Sequence, residues 1–123
     1  MLSVAFVGST NAEEQINLNC TLYEGSDGTQ AWKLTPEDKT LGIYPESMIM
    51  VYEGKIWNYF KEGNSIHSTN SYDYNGWHFK SKLTLDRKTG VFMTTLKQTL
   101  ISTNKLNMYL SYIGLCKRES NLF

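Results

Sequence analysis

The sequence predicts an all-β domain: a small antiparallel meander β-barrel, or a β-sandwich, of seven to eight strands with at most one short helical turn. Three observations predict it. From Trp77 to Leu85 the odd positions are Trp77, Phe79, Ser81, Leu83 and Leu85, and the even ones are His78, Lys80, Lys82 and Thr84. That is the period-two pattern of a strand with one wet and one buried face. Two turns flanking the next strand then agree on a single register. Finally, aromatic residues make up 13% of the chain, and turn signals recur at short spacing along it, as β domains require.

Taken in order, Met1 to Ala12 carries no charge, with an apolar run at Leu2–Val7 and small residues before Glu13-Glu14. It reads as the remnant of a secretory signal peptide over 1–12, cleaved after Ala12. The alternative is an ordinary first strand. A single barrel domain then occupies 13–123. Glu13 to Glu24 is the first mature strand; in Ile16-Asn17-Leu18-Asn19-Cys20-Thr21-Leu22 the even positions are apolar, so Cys20 points inward. Gly25–Gly28 is a loop and Ala31–Leu34 a short strand. Thr35-Pro36-Glu37-Asp38 has the residues of a helix start, a Thr cap with Pro at the first position and an acid at the third. Leu41–Pro45 reads as irregular.

Ser47–Tyr52 and Lys55–Phe60 form a hairpin turning at Glu53-Gly54. Lys61–Asn64 is another turn, Ser65–Asn70 a short edge strand, and Ser71–Gly76 a polar and aromatic loop. In the main hairpin, Asp86 suits the entry to a type I turn and Gly90 tolerates positive φ. The pairs are Leu85/Phe92, Leu83/Thr94, Ser81/Leu96, Phe79/Gln98 and Trp77/Leu100. A three-residue loop, Ser102–Asn104, gives Leu100/Leu106, Gln98/Met108, Leu96/Leu110, Thr94/Tyr112 and Phe92/Gly114. Cys116 then falls on the inward face near Gly90.

At 123 residues the chain can bury roughly two-thirds of its unfolded surface. Twelve basic and twelve acidic residues cancel, so charge points to neither nucleic acid nor an anionic membrane as partner. No apolar run approaches the roughly 20 residues of a membrane helix. Cys20 and Cys116 share inward parity near opposite ends of the mature chain, which predicts a disulfide if the first and last strands are neighbours. The alternative is two buried thiols. There is no C-x-x-C, hence no redox motif or zinc knuckle.

Neither G-x-S-x-G nor H-E-x-x-H occurs. His78 belongs to the outward set, and with His67 and Asp73 it shows no metal-ligand spacing. No catalytic residue, metal or cofactor is assigned. Binding candidates are aromatic. Tyr72, Tyr74, Asn75 and Trp77 combine rings with amide groups, which suits stacking on sugar rings or an amphipathic protein contact. Gln98 is polar within the inward set, beside Phe79 and Met108, where it can serve as a polar contact in an apolar cavity. Lys80 faces Lys97 on the outer surface, a solvated, aggregation-resistant face.

The export-signal remnant, Cys20 in the first mature strand, the hairpin Leu83–Gly90 and the final Leu115-Cys116-Lys117-Arg118 together resemble small exported bacterial proteins of unknown function. The two ends and the late hairpin carry this likeness, and no catalytic residue comes with it. More distantly, the chain resembles periplasmic lysozyme inhibitors, small disulfide-tied β-barrels, which implies a protein partner. The expectation is a periplasmic or secreted, non-catalytic binding module for a small molecule, glycan or protein. An enzyme inhibitor and a hydrolase with a site assembled from scattered acids are the alternatives.

Overall fold

A computed structural model describes residues 14–118, so the expected signal segment lies outside the described residues. Within them the chain is all-β, with nine strands: β1 (Ile16–Ser26), β2 (Ala31–Tyr44), β3 (Ile49–Tyr52), β4 (Lys55–Asn58), β5 (Phe60–Glu62), β6 (Ser65–Tyr74), β7 (Trp77–Asp86), β8 (Val91–Leu100) and β9 (Lys105–Arg118). They form one antiparallel sheet in the order β4-β3-β2-β1-β9-β8-β7-β6-β5. This is a meander whose first and last long strands pair, rolled into a nearly closed barrel.

The ninth strand arises where one expected strand, Lys55–Phe60, divides at Tyr59. β4 and β5 are the two edges of the sheet, and Tyr59 alone separates them. Its amide donates to the Met48 carbonyl at 3.0 Å. Ser68 on β6 donates its hydroxyl to the Asn58 carbonyl on β4. The chain itself therefore crosses the seam of the barrel, and a side chain bridges it.

The β7–β8 register is as predicted from Trp77↔Leu100 to Leu85↔Phe92. Between β8 and β9 the pairs Gln98↔Met108, Leu96↔Leu110, Thr94↔Tyr112 and Phe92↔Gly114 also match. The expected Leu100/Leu106 pair does not form. Leu100 faces Lys105, and Leu106 faces Thr99. The turn spans residues 101–104, one longer than expected, with Asn104 at φ 56°. A bulge between Leu106 and Met108 then restores the register, because an extra residue returns the strand to its original parity.

Three other expectations are corrected. Thr35–Asp38 is not helical but lies within β2. β1 supplies ladder partners, Thr21↔Asp38 and Leu22↔Glu37, and pairing resumes at Glu24↔Lys33. Thr21 Oγ1 donates to Asp38 Oδ1 at 2.8 Å. Pro36 falls in the resulting bulge, where no ladder donor is needed. Leu41–Tyr44, expected to be irregular, continues the same strand and pairs with β3. Likewise Ser71–Tyr74 is not loop: β6 runs on through Tyr72↔Phe79 and Tyr74↔Trp77. The turn is only Asn75-Gly76, at φ 53° and 80°, the two-residue form that matches strand twist.

The disulfide joins Cys20 and Cys116, a directly opposed pair across β1 and β9, with Cα atoms 3.9 Å apart. Around it a fully buried layer comprises Phe92, Leu41, Met50, Ile66 and Ser68. Gly114, opposite Phe92, approaches β1 so closely that a Cβ there would stand 2.3 Å from the Thr21 carbonyl oxygen.

Two turns are capped by carboxylates. Asp27 accepts bonds from the amides of Gln30 (2.8 Å) and Thr29 (2.9 Å), and Asp86 from those of Lys88 (2.8 Å) and Thr89 (3.1 Å). The Gln30 amide, then Thr29, holds Asp27 below its ordinary range; Thr89, then Lys88, does so for Asp86. Groups depressed on folding stabilise above their unfolded pKa, about 3.9, and lose that contribution as pH falls through the folded value. The urea midpoint of the native protein is thus expected to drop more steeply below about pH 4 than that of an Asp27→Asn/Asp86→Asn variant. Equal slopes would deny the caps this role.

Candidate functional site

Strand length decides where the barrel is open. β3 and β4 are four residues each and turn at Glu53-Gly54. Above that turn, residues 31–40 of β2 and 69–74 of β6 have no strand partner on the side facing the gap. β6 to β9 and the far ends of β1 and β2 continue past it. The result is a trough that opens from the barrel, floored by the inward face of the long strands.

Pleat alternation puts four of the five predicted binding residues on that face. Tyr72, Tyr74, Trp77 and Gln98 share it with Phe79 and Met108 through the pairs Tyr74↔Trp77, Tyr72↔Phe79↔Gln98 and Gln98↔Met108. The Tyr72 and Phe79 rings stack, with centroids 5.0 Å apart and planes 18° from parallel. Tyr72 is 51% exposed and Tyr74 65%, so strand geometry, not a flexible loop, presents them. Asn75 instead holds the left-handed position in the β6–β7 turn. That turn is tied to the next by the Ile101 amide donating to the Gly76 carbonyl at 3.0 Å.

Two residues along each strand, the same face enters a cavity of about 450 Å3. Ser81, Leu96 and Leu110 form its nearest row, and Tyr52, Trp57 and Tyr112 line it deeper in. Gln98, Phe79 and Met108 are not in its wall; they lie just outside, on the approach. Burial pushes the Tyr52 phenol up to about 12, the Glu53 carboxylate adding to the effect and Lys39 opposing it, so it stays a hydrogen-bond donor at neutral pH. The Trp57 indole N–H is buried without a partner among the described residues.

Lys39, Glu37 and Glu53 also line this cavity. The Lys39 ammonium lies 3.0 Å from Glu53 and 3.2 Å from Glu37. The bonds to Glu53 and then Glu37 raise its pKa. Sequence reasoning missed these three. Cys20↔Lys39 and Leu22↔Glu37 place Lys39 and Glu37 on the inward face, and the alternation of β1 identifies that face once its pairing with β2 is known.

His78 Nδ1 lies 2.6 Å from Asp73 Oδ1. The pair is solvent-exposed on the outer face, across the wall from the cavity. Among the described residues no three His, Cys, Asp or Glu side chains cluster as a metal site. Among the described residues no helix is long and apolar enough to cross a membrane. No family model, curated protein or solved structure matches the chain.

Proposed function

We propose that the protein is an exported, non-catalytic binding module that takes a ring-bearing ligand, a glycan by preference, along the aromatic trough and into the cavity beyond it. The carrying observation is the continuity of one face: exposed Tyr72 and Tyr74, then Trp77, Phe79 and Gln98, then the cavity row Ser81 and Leu96. Sugar rings present C–H faces to aromatic planes and hydroxyls to amide and hydroxyl groups. Gln98, Ser81 and Thr94 supply the latter beside the former. The disulfide supports export, since such bonds persist in oxidising compartments.

The test is a glycan-array screen followed by calorimetric titration of the best hit. Tyr72→Ala and Tyr74→Ala are each expected to weaken binding by roughly three- to tenfold, the worth of one aromatic contact. His78→Ala on the outer face should leave it unchanged. Binding indifferent to both tyrosines, or no glycan bound at all, would remove the proposal.

One observation favours a second reading, a protein partner of the enzyme-inhibitor kind. The free edge of β6, residues 69–74, carries a single charge, Asp73, and no proline. The β2 edge has Pro36, a bulge and several charges, the usual guards against strand addition. An extended segment pairing with β6 would engage the same tyrosines. Inhibition of lysozyme by the intact protein, lost on Thr69→Pro or Ser71→Pro, would favour this reading over the glycan.

A further inference from the structure

The opposite end of the barrel holds a second cavity, of about 460 Å3, separated from the first by the buried layer of Phe92, Leu41 and Met50. Its interior is apolar, with Ile16, Leu18, Ile43, Ile66 and Leu85 among its walls. Its rim is not. Lys61, Arg87, Lys88 and Arg118 line it against one acid, Asp86. None of the four cations has a carboxylate within salt-bridge distance among the described residues, where the ion pairs involve Lys39, His67 and His78. The Asp86 carboxylate is already engaged by two backbone amides of its own turn.

The rim is also rigidly held. The Arg87 amide donates to the Asn64 carbonyl at 2.8 Å, and the Cys116 amide to the Gly90 carbonyl at 2.7 Å. The 86–90 turn is thereby anchored on both flanks, to the β5–β6 turn and to β9. The Arg87 guanidinium bonds the carbonyls of Gly63 and Asn64 at 2.8 and 3.2 Å. Those are neutral acceptors, so its charge is oriented without being cancelled. A preformed apolar cavity under four cations and a single carboxylate matches a ligand with an apolar tail and an anionic head.

We propose that this cavity binds a long-chain carboxylate, the alkyl chain inside and the head group at the Lys61, Lys88 and Arg118 rim. The site does not depend on the glycan reading of the other end. Ile16 and Arg118, near the two limits of the described residues, both line the cavity.

The experiment titrates the full chain with dodecanoate, following intrinsic fluorescence and heat, beside three comparators: dodecanol, acetate, and vesicles of anionic phospholipid. Saturable one-to-one binding of dodecanoate is expected. Dodecanol should bind about tenfold more weakly and acetate not at all. Lys61→Gln, Lys88→Gln and Arg118→Gln should each cost about three- to tenfold in affinity for dodecanoate, and none for dodecanol. Lys80→Gln, on the outer face, should change nothing. Equal affinity for acid and alcohol, indifference to the three rim substitutions, or binding to vesicles alone would overturn the proposal.

Discussion

Replacing Cys20 and Cys116 together by serine is expected to lower the free energy of unfolding by about 4 kcal/mol. The bridge closes a sequence separation of 96 residues. In the chain-entropy model a loop of that length, when cross-linked, removes about 4–5 kcal/mol of disorder from the unfolded ensemble. The bridged strands are also the first and last of the described sheet, and the β1–β9 ladder is the contact that rolls the meander up. Folding must form that ladder against the largest loop entropy of the fold, so the cross-link acts where closure costs most. Equilibrium urea unfolding of the double variant against the oxidised protein measures the loss. A difference below about 1 kcal/mol would show that the ladder closes unaided, well under the usual 2–5 kcal/mol for native bridges in small domains.

Phe92→Ala should cost about 3–5 kcal/mol, the range for deleting a buried aromatic ring. Phe92 is 0% exposed. Its ring meets Tyr52 edge-on with centroids 5.3 Å apart, and the facing position on β9 is Gly114, which leaves room for the ring. The surrounding layer cannot collapse into the vacated space easily, because Cys20 is tethered and Gly114 is already pressed against the β1 backbone. The substitution also thins the layer between the two cavities. Phe92→Leu, which keeps most of the volume, should cost clearly less. Comparable losses for the two variants would mean that volume is not what Phe92 contributes. Thermal or urea midpoints of both variants decide the matter.

How much of this was legible beforehand follows from the range over which each feature is encoded. The β7–β8 register was legible because alternation is local and Asp86 and Gly90 fix the turn length. The same locality misled at Thr35-Pro36-Glu37-Asp38. Capping residues describe what a free segment prefers, whereas β1 offers that segment a ladder, and tertiary pairing outweighs propensity. Ser71–Gly76 was misread differently. Asn75-Gly76 is the strongest two-residue hairpin signal in the chain, and it predicts strands on both sides. Reading the flanking tyrosines as loop overlooked it. The Leu100/Leu106 error came from a turn one residue longer than expected, compensated by a bulge that leaves no mark in hydrophobic parity.

The candidate site divides along the same line. Tyr72, Tyr74, Trp77 and Gln98 were nominated from composition and parity, and strand pairing gathers them on one face. Lys39 and Glu37 could not be nominated, because β2 shows no alternation of its own across its bulge, and Glu53 lies in the β3–β4 turn, where no strand parity applies. Neither cavity is visible in the chain. Each depends on which strands are short, and on how side chains far apart in sequence fail to fill the space between them.

By itself, then, the sequence determined the all-β class, the Asp86–Gly90 turn, the inward parity of both cysteines and the β7–β8 register. Those follow from alternation and turn chemistry, which act within a few residues. The tertiary structure alone decided that β1 pairs with β9, that β4 and β5 form the two sides of one seam, and that the barrel opens at both ends. Those depend on loop closure and on packing between distant strands, and no local pattern records them.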